Sequence, residues 1–228
     1  MNQTVQNFPG VGGDALAQQR NRVLRNTYWL LSLSMVPTVL GAWIGVQMGI
    51  ALTGGLGLMV FLVGAFGFMF AIEKFKNSAA GVPILLAFTF FMGLMLARLL
   101  GAVLGLKNGG SLIMLAFGGT GAIFFGMAAL SSTIKRDLGS MGKFLFIGAV
   151  MLLVAVVANL FIQSSALMIT ISVLAVGIFS AFILYDLKRV QDGLEDNYIT
   201  ATLGVYLSIY NVFSNLLALL GIFGGERE

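Results

Sequence analysis

Seven apolar runs, each about as long as a membrane-spanning helix, restrict the fold of this chain more than any other feature. A helix needs about 20 mostly apolar residues to cross the hydrocarbon core of a bilayer. Only 10% of the 228 residues are charged, against about 25% in soluble domains, so a soluble globular fold is excluded. We predict an all-α, polytopic membrane protein with spans at residues 27–47, 50–72, 82–106, 112–132, 143–163, 166–187 and 198–223.

The seven spans form one transmembrane domain, residues 27–224, between two tails. Residues 1–26 are polar and contain several glycines, which predicts an unstructured cytosolic N-terminal tail. Residues 225–228 form a short C-terminal tail. Because the last run is the least apolar, six spans and a re-entrant segment are the alternative to seven spans.

The basic residues predict the orientation of the chain. With seven spans, every Lys and Arg except Arg98, Lys107 and Arg227 falls on one side of the membrane. Cytoplasmic loops are the ones enriched in Lys and Arg, so the N-terminus is predicted inside and the C-terminus outside, in a bacterial inner membrane. The net charge of +4 is therefore assigned to topology and not to nucleic-acid binding.

The composition argues against an enzyme. The chain has no cysteine and no histidine, which removes thiolate nucleophiles, Cys/His metal sites and histidine acid–base chemistry. Residues 118–121 (GGTG) lack the Lys-Ser/Thr ending of a phosphate-binding loop, so we predict close helix packing there. Gly41 and Gly45 in span one and Gly93 in span three belong to series of small residues that repeat every four positions. Such series also favour helix packing. We predict no catalytic residue and no cofactor.

Asp186 is the first candidate functional residue because it lies at the inner end of span six. Ionisable groups at membrane depth usually face a bundle interior or water, so Asp186 is either a solvated interfacial group or a gate that closes a central cavity. Lys74 and Lys76, at the inner end of span two, are predicted to reach it. As the only carboxylate of the cavity, Asp186 is also a weak candidate calcium ligand.

The last span has one polar face, at the helical spacing of Gly204, Ser208, Asn211 and Asn215. This face is predicted to point into the bundle toward span six and to form interhelical hydrogen bonds. It is either a structural seam or the lining of an ion path. Arg98, at the outer part of span three, either snorkels outward or binds backbone carbonyls.

Four segments together make the chain resemble the Bax inhibitor-1 (transmembrane Bax inhibitor motif) family, in its bacterial YccA-like branch. They are residues 23–28 (VLRNTY), 116–120 (AFGGT), 196–199 (DNYI) and 206–211 (YLSIYN). The resemblance implies seven helices with the seventh at the centre. It also implies a pH-sensitive calcium leak closed by two aspartates, of which Asp186 matches the first, whereas Ser208 stands at the second position.

The YccA-like branch implies a different role, because its members resemble substrates and modulators of the FtsH-type membrane AAA protease. They are thought to offer the N-terminal tail to the protease while the helical body resists extraction. We therefore carry two hypotheses: modulation of an FtsH-type protease, and a proton-sensitive calcium or cation leak gated near Asp186. The single-carboxylate gate would depend on Lys74 or Lys76, since Ser208 cannot share a proton with Asp186.

Overall fold

The protein is a bundle of seven α-helices, as predicted, in a computed structural model that describes the backbone of residues 11–50 and 54–225 and the side chains of residues 17–50 and 55–225. All seven helices are long and apolar enough to cross a membrane. The last of them is continuous, which rules out the re-entrant alternative. In chain order the helices are α1 (Val11–Gln47), α2 (Gly54–Phe75), α3 (Gly81–Leu104), α4 (Gly109–Thr133), α5 (Gly139–Ile162), α6 (Ser165–Gln191) and α7 (Tyr198–Gly224).

The first helix is longer than the sequence predicted. Residues 11–26 were expected to be unstructured, but α1 already begins at Val11, so that expectation is wrong for the described part of the tail. The physical reason is that Ala, Leu, Gln and Arg, which dominate residues 15–25, are strong helix formers. Val23 also packs against Val190 and Ala201, which holds this part of the helix on the bundle. Residues 1–10 of the tail and 226–228 at the C-terminus lie outside the described residues.

The seventh helix lies at the centre, as the family resemblance implied. α7 packs against α1, α2, α3, α4 and α6, whereas α5 packs along α6. Tyr206 of α7 is only 1% exposed, and its ring makes an edge contact with Phe88 of α3. Its hydroxyl shares a 2.8 Å hydrogen bond with Thr38 Oγ1 of α1 and donates to the carbonyl oxygen of Thr89 in α3 at 3.4 Å. This polar contact joins three helices at the middle of the bundle.

Glycines allow the backbones of α1 and α3 to touch. A Cβ on Gly93 would overlap the carbonyl oxygen of Thr38, and one on Gly41 would overlap the carbonyl oxygen of Phe90. The packing role predicted for these small residues is therefore confirmed at this contact. Within residues 118–121 it is wrong for Gly118 and Gly121, which have nothing within 4 Å of an added Cβ, whereas a Cβ on Gly119 would lie 3.5 Å from Leu216 of α7.

The outer surface of the bundle is apolar. Large hydrophobic side chains such as Trp43, Phe117, Phe144 and Phe161 are mostly exposed. An apolar outer surface around a core of similar polarity is expected when the surroundings are lipid acyl chains. The structure is therefore that of a multi-pass membrane protein.

We expect Gly93→Ala to destabilise the bundle because the new Cβ must push α3 away from Thr38 of α1. Overpacking of this kind costs about 1–3 kcal/mol. Gly101→Ala is the matched control on the same helix, since Gly101 has open space around it and alanine favours a helix by about 1 kcal/mol. Thermal unfolding in mild detergent should show a lower midpoint for Gly93→Ala and an unchanged or higher midpoint for Gly101→Ala. Equal midpoints would contradict the close approach of α1 and α3.

Candidate functional site

The predicted gate residue Asp186 lies on the contact between α6 and α7. Its Oδ2 atom is 3.0 Å from the position of a Cβ on Gly204, so the missing side chain of this glycine makes room for the carboxylate. Among the described residues, no donor hydrogen-bonds to Asp186 and no cation forms an ion pair with it. The charges that act on it are those of Arg189, one turn away, and Glu195. This half-buried carboxylate thus lies between two helices without a hydrogen bond or an ion pair from the described residues.

Ser208 is buried one turn beyond Gly204, and its hydroxyl donates to the Gly204 carbonyl oxygen at 3.1 Å. Gly204 thus lies against Asp186, and Ser208 follows Gly204 by one turn of α7. The position to which the family resemblance assigns a second aspartate here holds a hydroxyl that is bonded to its own helix. The role of these residues as a gate stays a prediction.

The other polar side chains of α7 do not bridge to α6. Asn211 Nδ2 donates to the Leu207 carbonyl oxygen at 2.8 Å, and Asn215 Nδ2 donates to the Asn211 carbonyl oxygen at 2.8 Å. The expected interhelical hydrogen bonds are therefore wrong for these residues. The reason is that an asparagine on a helix can reach the free lone pair of the carbonyl one turn earlier, which satisfies its donor without a partner helix.

The two lysines predicted to reach Asp186 are engaged elsewhere. Lys76 forms an ion pair with Glu73 at the end of α2, and this hydrogen bond raises the pKa of Lys76. The ammonium of Lys74 lies 5.6 Å from the centre of the Phe75 ring. The basic residue whose charge acts on Asp186 is therefore Arg189 and neither of the two lysines. The signal in the sequence was the position of Arg189 three residues after Asp186, on the same face of α6.

Asn197, which was not predicted as a functional residue, connects three parts of this end of the bundle. Its Oδ1 accepts from the backbone N–H groups of Ile199 at 2.9 Å and Thr200 at 3.2 Å and so caps α7. Its Nδ2 donates to the Lys76 carbonyl oxygen at 3.2 Å and to Asn77 Oδ1 at 2.8 Å. An asparagine directly before an apolar helix is a recognisable N-cap signal, but its second pair of bonds depends on the tertiary fold.

Gln191 connects the ends of three further helices. Its Nε2 donates to Ser131 Oγ at 2.9 Å and to Ser132 Oγ at 3.2 Å on α4. Its backbone carbonyl accepts from Arg20 Nη1 of α1 at 3.3 Å. Gln191 therefore ties α1, α4 and α6 together, and Asn197 ties the α2–α3 connection to α7, both at the end of the bundle at which Asp186 lies. We call this set of side chains the polar ring: Arg20, Asn77, Ser131, Ser132, Gln191 and Asn197.

Comparison with known proteins supports the family resemblance. The family model described as "Inhibitor of apoptosis-promoting Bax1" (Bax1-I) matches residues 20–225, nearly the whole described bundle. The chain belongs to the Bax inhibitor-1 family. The matched residues include α7, Asp186 and the polar ring, so the arrangement described above lies within the family domain.

Several bacterial relatives align along almost the whole chain. An uncharacterised protein of Pseudomonas aeruginosa is 42% identical over 214 residues, which cover 93% of this chain and 95% of that protein. The Escherichia coli K12 protein named "Modulator of FtsH protease YccA" is 37% identical over 201 residues, covering 88% of this chain and 90% of that protein. A protein of another E. coli strain, with the same identity and coverage, is named "Inner membrane protein YccA".

The described residues contain no group of three or more acidic side chains that could hold a metal ion. Calcium ligands are usually six to eight oxygen atoms, several of them from carboxylates. Binding of calcium by Asp186 therefore stays a prediction, and it would require ligands from water and backbone carbonyls.

We expect Asn197→Ala to loosen the polar ring, because it removes the cap of α7 and both bonds to the α2–α3 connection. The loss of an N-cap alone costs about 1 kcal/mol. Asn197→Asp is the matched variant, since its carboxylate keeps the cap but cannot donate to Lys76 and Asn77. The thermal midpoint in detergent should fall most for Asn197→Ala and less for Asn197→Asp. Equal losses for the two variants would show that the cap contributes nothing.

Proposed function

We propose that this protein is an inner-membrane modulator of an FtsH-type membrane AAA protease, acting in the quality control of membrane proteins. The observation that carries the proposal is the 37% identity to the E. coli protein named a modulator of FtsH protease, over 88% of this chain. The name of a second relative as an inner membrane protein supports the location. The charge distribution along the chain supports a cytoplasmic N-terminus.

We infer that a protease engages the segment before residue 17, from which α1 leads into the bundle. Gln18, Gln19, Arg20 and Arg22 are exposed on this helix. The same part of the helix is anchored, because Arg20 bonds to α6 and Val23 enters a small apolar cluster. A protease that pulled on the segment before residue 17 would meet these contacts within about two helical turns, and beyond them the close packing of α1 on α3. This arrangement supports a protein that is held by a protease and resists extraction.

Deletion of residues 2–16 tests the proposal, because it removes the segment that the protease would engage but keeps Arg20 and Val23, which anchor α1. We expect at least a tenfold loss of the FtsH-type protease from a mild-detergent pull-down of the tagged protein from native membranes. The thermal midpoint of the bundle should remain unchanged, since the deleted residues lie before the anchor. A chain with residues 2–16 in scrambled order is the matched control, and it separates recognition of these side chains from a requirement for length.

Undiminished recovery of the protease with the deleted chain would contradict a role for the N-terminal segment. Absence of the protease from the pull-down with the full-length chain would overturn the modulator proposal itself. Turnover of the protein in cells gives an independent reading, since a protein that is held through this segment should become longer-lived when the segment is deleted.

A slow, proton-sensitive leak of calcium or another cation is the second proposed function. The observation that favours it is the position of Asp186, a half-buried carboxylate on the α6–α7 contact. Within the described structure it has no hydrogen-bond donor and no ion-pair partner. A carboxylate in this state is free to take up a proton or to meet a cation, whereas Asp192 on the same helix is bonded to Lys188 at 2.7 Å.

We expect Asp186→Asn to change calcium flux into liposomes severalfold and to remove most of its dependence on pH between 6 and 8, because asparagine cannot titrate. Asp192→Asn is the control, since it removes a carboxylate six residues further along the chain that already has a lysine partner. The control should keep the pH dependence of the unaltered protein. The same flux and pH profile for Asp186→Asn and the unaltered protein would sink the gating proposal and leave the protease proposal untouched.

A further inference from the structure

A cleft opens between α2 and α5 at the end of the bundle opposite the polar ring. Its volume is about 310 Å³. The walls are apolar and come from the first turns of α2, the second half of α3 and the last turn of α5, while α7 contributes one tyrosine. The side chains used in the argument below are Phe61, Leu94, Arg98, Leu160 and Tyr210.

Arg98 is the charged residue of this cleft. It is exposed, and within the described structure it forms neither an ion pair nor a hydrogen bond to a backbone carbonyl. Of the two roles predicted from the sequence, binding to carbonyls is therefore wrong. Every carboxylate whose side chain the structure describes lies at or near the other end of the bundle, around the α2–α3, α4–α5 and α6–α7 connections. The protein thus leaves this guanidinium without a described counter-ion.

The depth of Arg98 explains why the lack of a counter-ion among the described residues matters. Arg98 stands six residues before the end of α3 at Leu104, which is about 9 Å along a helix axis. A guanidinium at this depth can extend toward the headgroup region along its own aliphatic chain. An unpaired cation at membrane depth is costly, so an anion that reaches it from the membrane surface would be favoured.

Tyr210 adds a second polar group to the same cleft. It is half-buried, and its ring stacks at an angle on Tyr206, with 6.3 Å between the ring centroids. Its hydroxyl makes no hydrogen bond with any described residue. Tyr206, one turn earlier on α7, lies at the level of Phe88 and Thr89 in the middle of the bundle, so Tyr210 forms the deep part of the cleft, farther from the membrane surface than Arg98.

We propose that this cleft binds an anionic phospholipid of the surrounding membrane, with the phosphate on Arg98. One acyl chain runs inward from there along Phe61, Leu94 and the ring of Tyr210. The apolar walls favour a lipid over a free phosphate ion, because a free ion would leave most of the cleft unfilled and would lose its hydration against hydrocarbon. The proposal does not depend on either function proposed above, since it concerns the opposite end of the bundle.

A reporter tryptophan in the cleft can measure this selectivity. Trp29 and Trp43, both exposed, are replaced by phenylalanine, and Leu160→Trp is introduced. The full-length protein is reconstituted into mixtures of phosphatidylcholine with brominated phosphatidylglycerol, and into the reverse mixtures, so that quenching reports which lipid occupies the cleft. One basic group near a membrane surface attracts an anionic lipid about fivefold. We expect about this preference for phosphatidylglycerol.

The variants assign the preference to the cleft. Arg98→Gln should lower it to about one, and Arg98→Lys should keep most of it. Tyr210→Phe keeps the ring in the deep part of the cleft and loses only the hydroxyl, so it should leave the preference unchanged. Lys107→Gln removes the same charge from the connection between α3 and α4, outside the lining of the cleft, and should leave the preference unchanged. Phe117→Trp, placed instead of Leu160→Trp on the exposed surface of α4, should report no preference.

Three results would overturn the proposal. They are a preference near one in the reporter protein, an undiminished preference in Arg98→Gln, and an equal preference at the Phe117→Trp position. The last result would show that anionic lipid gathers around the whole protein. Arg98→Lys protects the test against misfolding, because a lysine that restores the preference excludes a merely structural role for the residue. The thermal midpoint of each variant is measured beside the quenching.

Discussion

The contact between the backbones of α1 and α3 is the constraint on which the rest of the bundle depends. In lipid, helices gain little from burying apolar side chains against one another, so their association relies on close packing and on polar contacts. Gly41 and Gly93 permit that approach. It brings Thr38 of α1 and Thr89 of α3 to the same level, where Tyr206 of α7 reaches both. The central position of α7 follows from this pair of helices.

The two ends of the bundle differ in how they are closed. At the end with Asp186, Gln191 joins α1, α4 and α6, and Asn197 joins the α2–α3 connection to α7, so these bonds cross between elements that are distant in sequence. At the other end, Asn108 Nδ2 donates to the Gly224 carbonyl oxygen, but α2 and α5 leave a cleft with Arg98 in it. An end whose helices are joined by hydrogen bonds fits the proposed resistance to extraction, and an open cleft fits the proposed binding of a lipid.

The candidate site could be predicted only in part. Asp186 was predicted because a carboxylate within an apolar helix is rare. The family resemblance implied that this residue of α6 would face α7. Its neighbours were not found, since Lys74 and Lys76 have partners of their own and Gly204 contributes by having no side chain. The asparagines of α7 also bond within their helix. Such choices depend on sub-ångström geometry that residue types do not contain.

The sequence by itself determined that this protein is a seven-helix membrane protein, because the length and apolarity of each run leave a helix as the only way to satisfy the backbone in lipid. The family was indicated separately, by four segments that resemble the Bax inhibitor-1 family. The sequence did not determine which faces of those helices meet. Only the tertiary structure decided that Gly93 lies against Thr38, that the basic charge acting on Asp186 is that of Arg189, and that Arg98 faces a cleft. The reason is that nearly every face of these helices is apolar, so hydrophobic periodicity is weak and packing shape selects the partners.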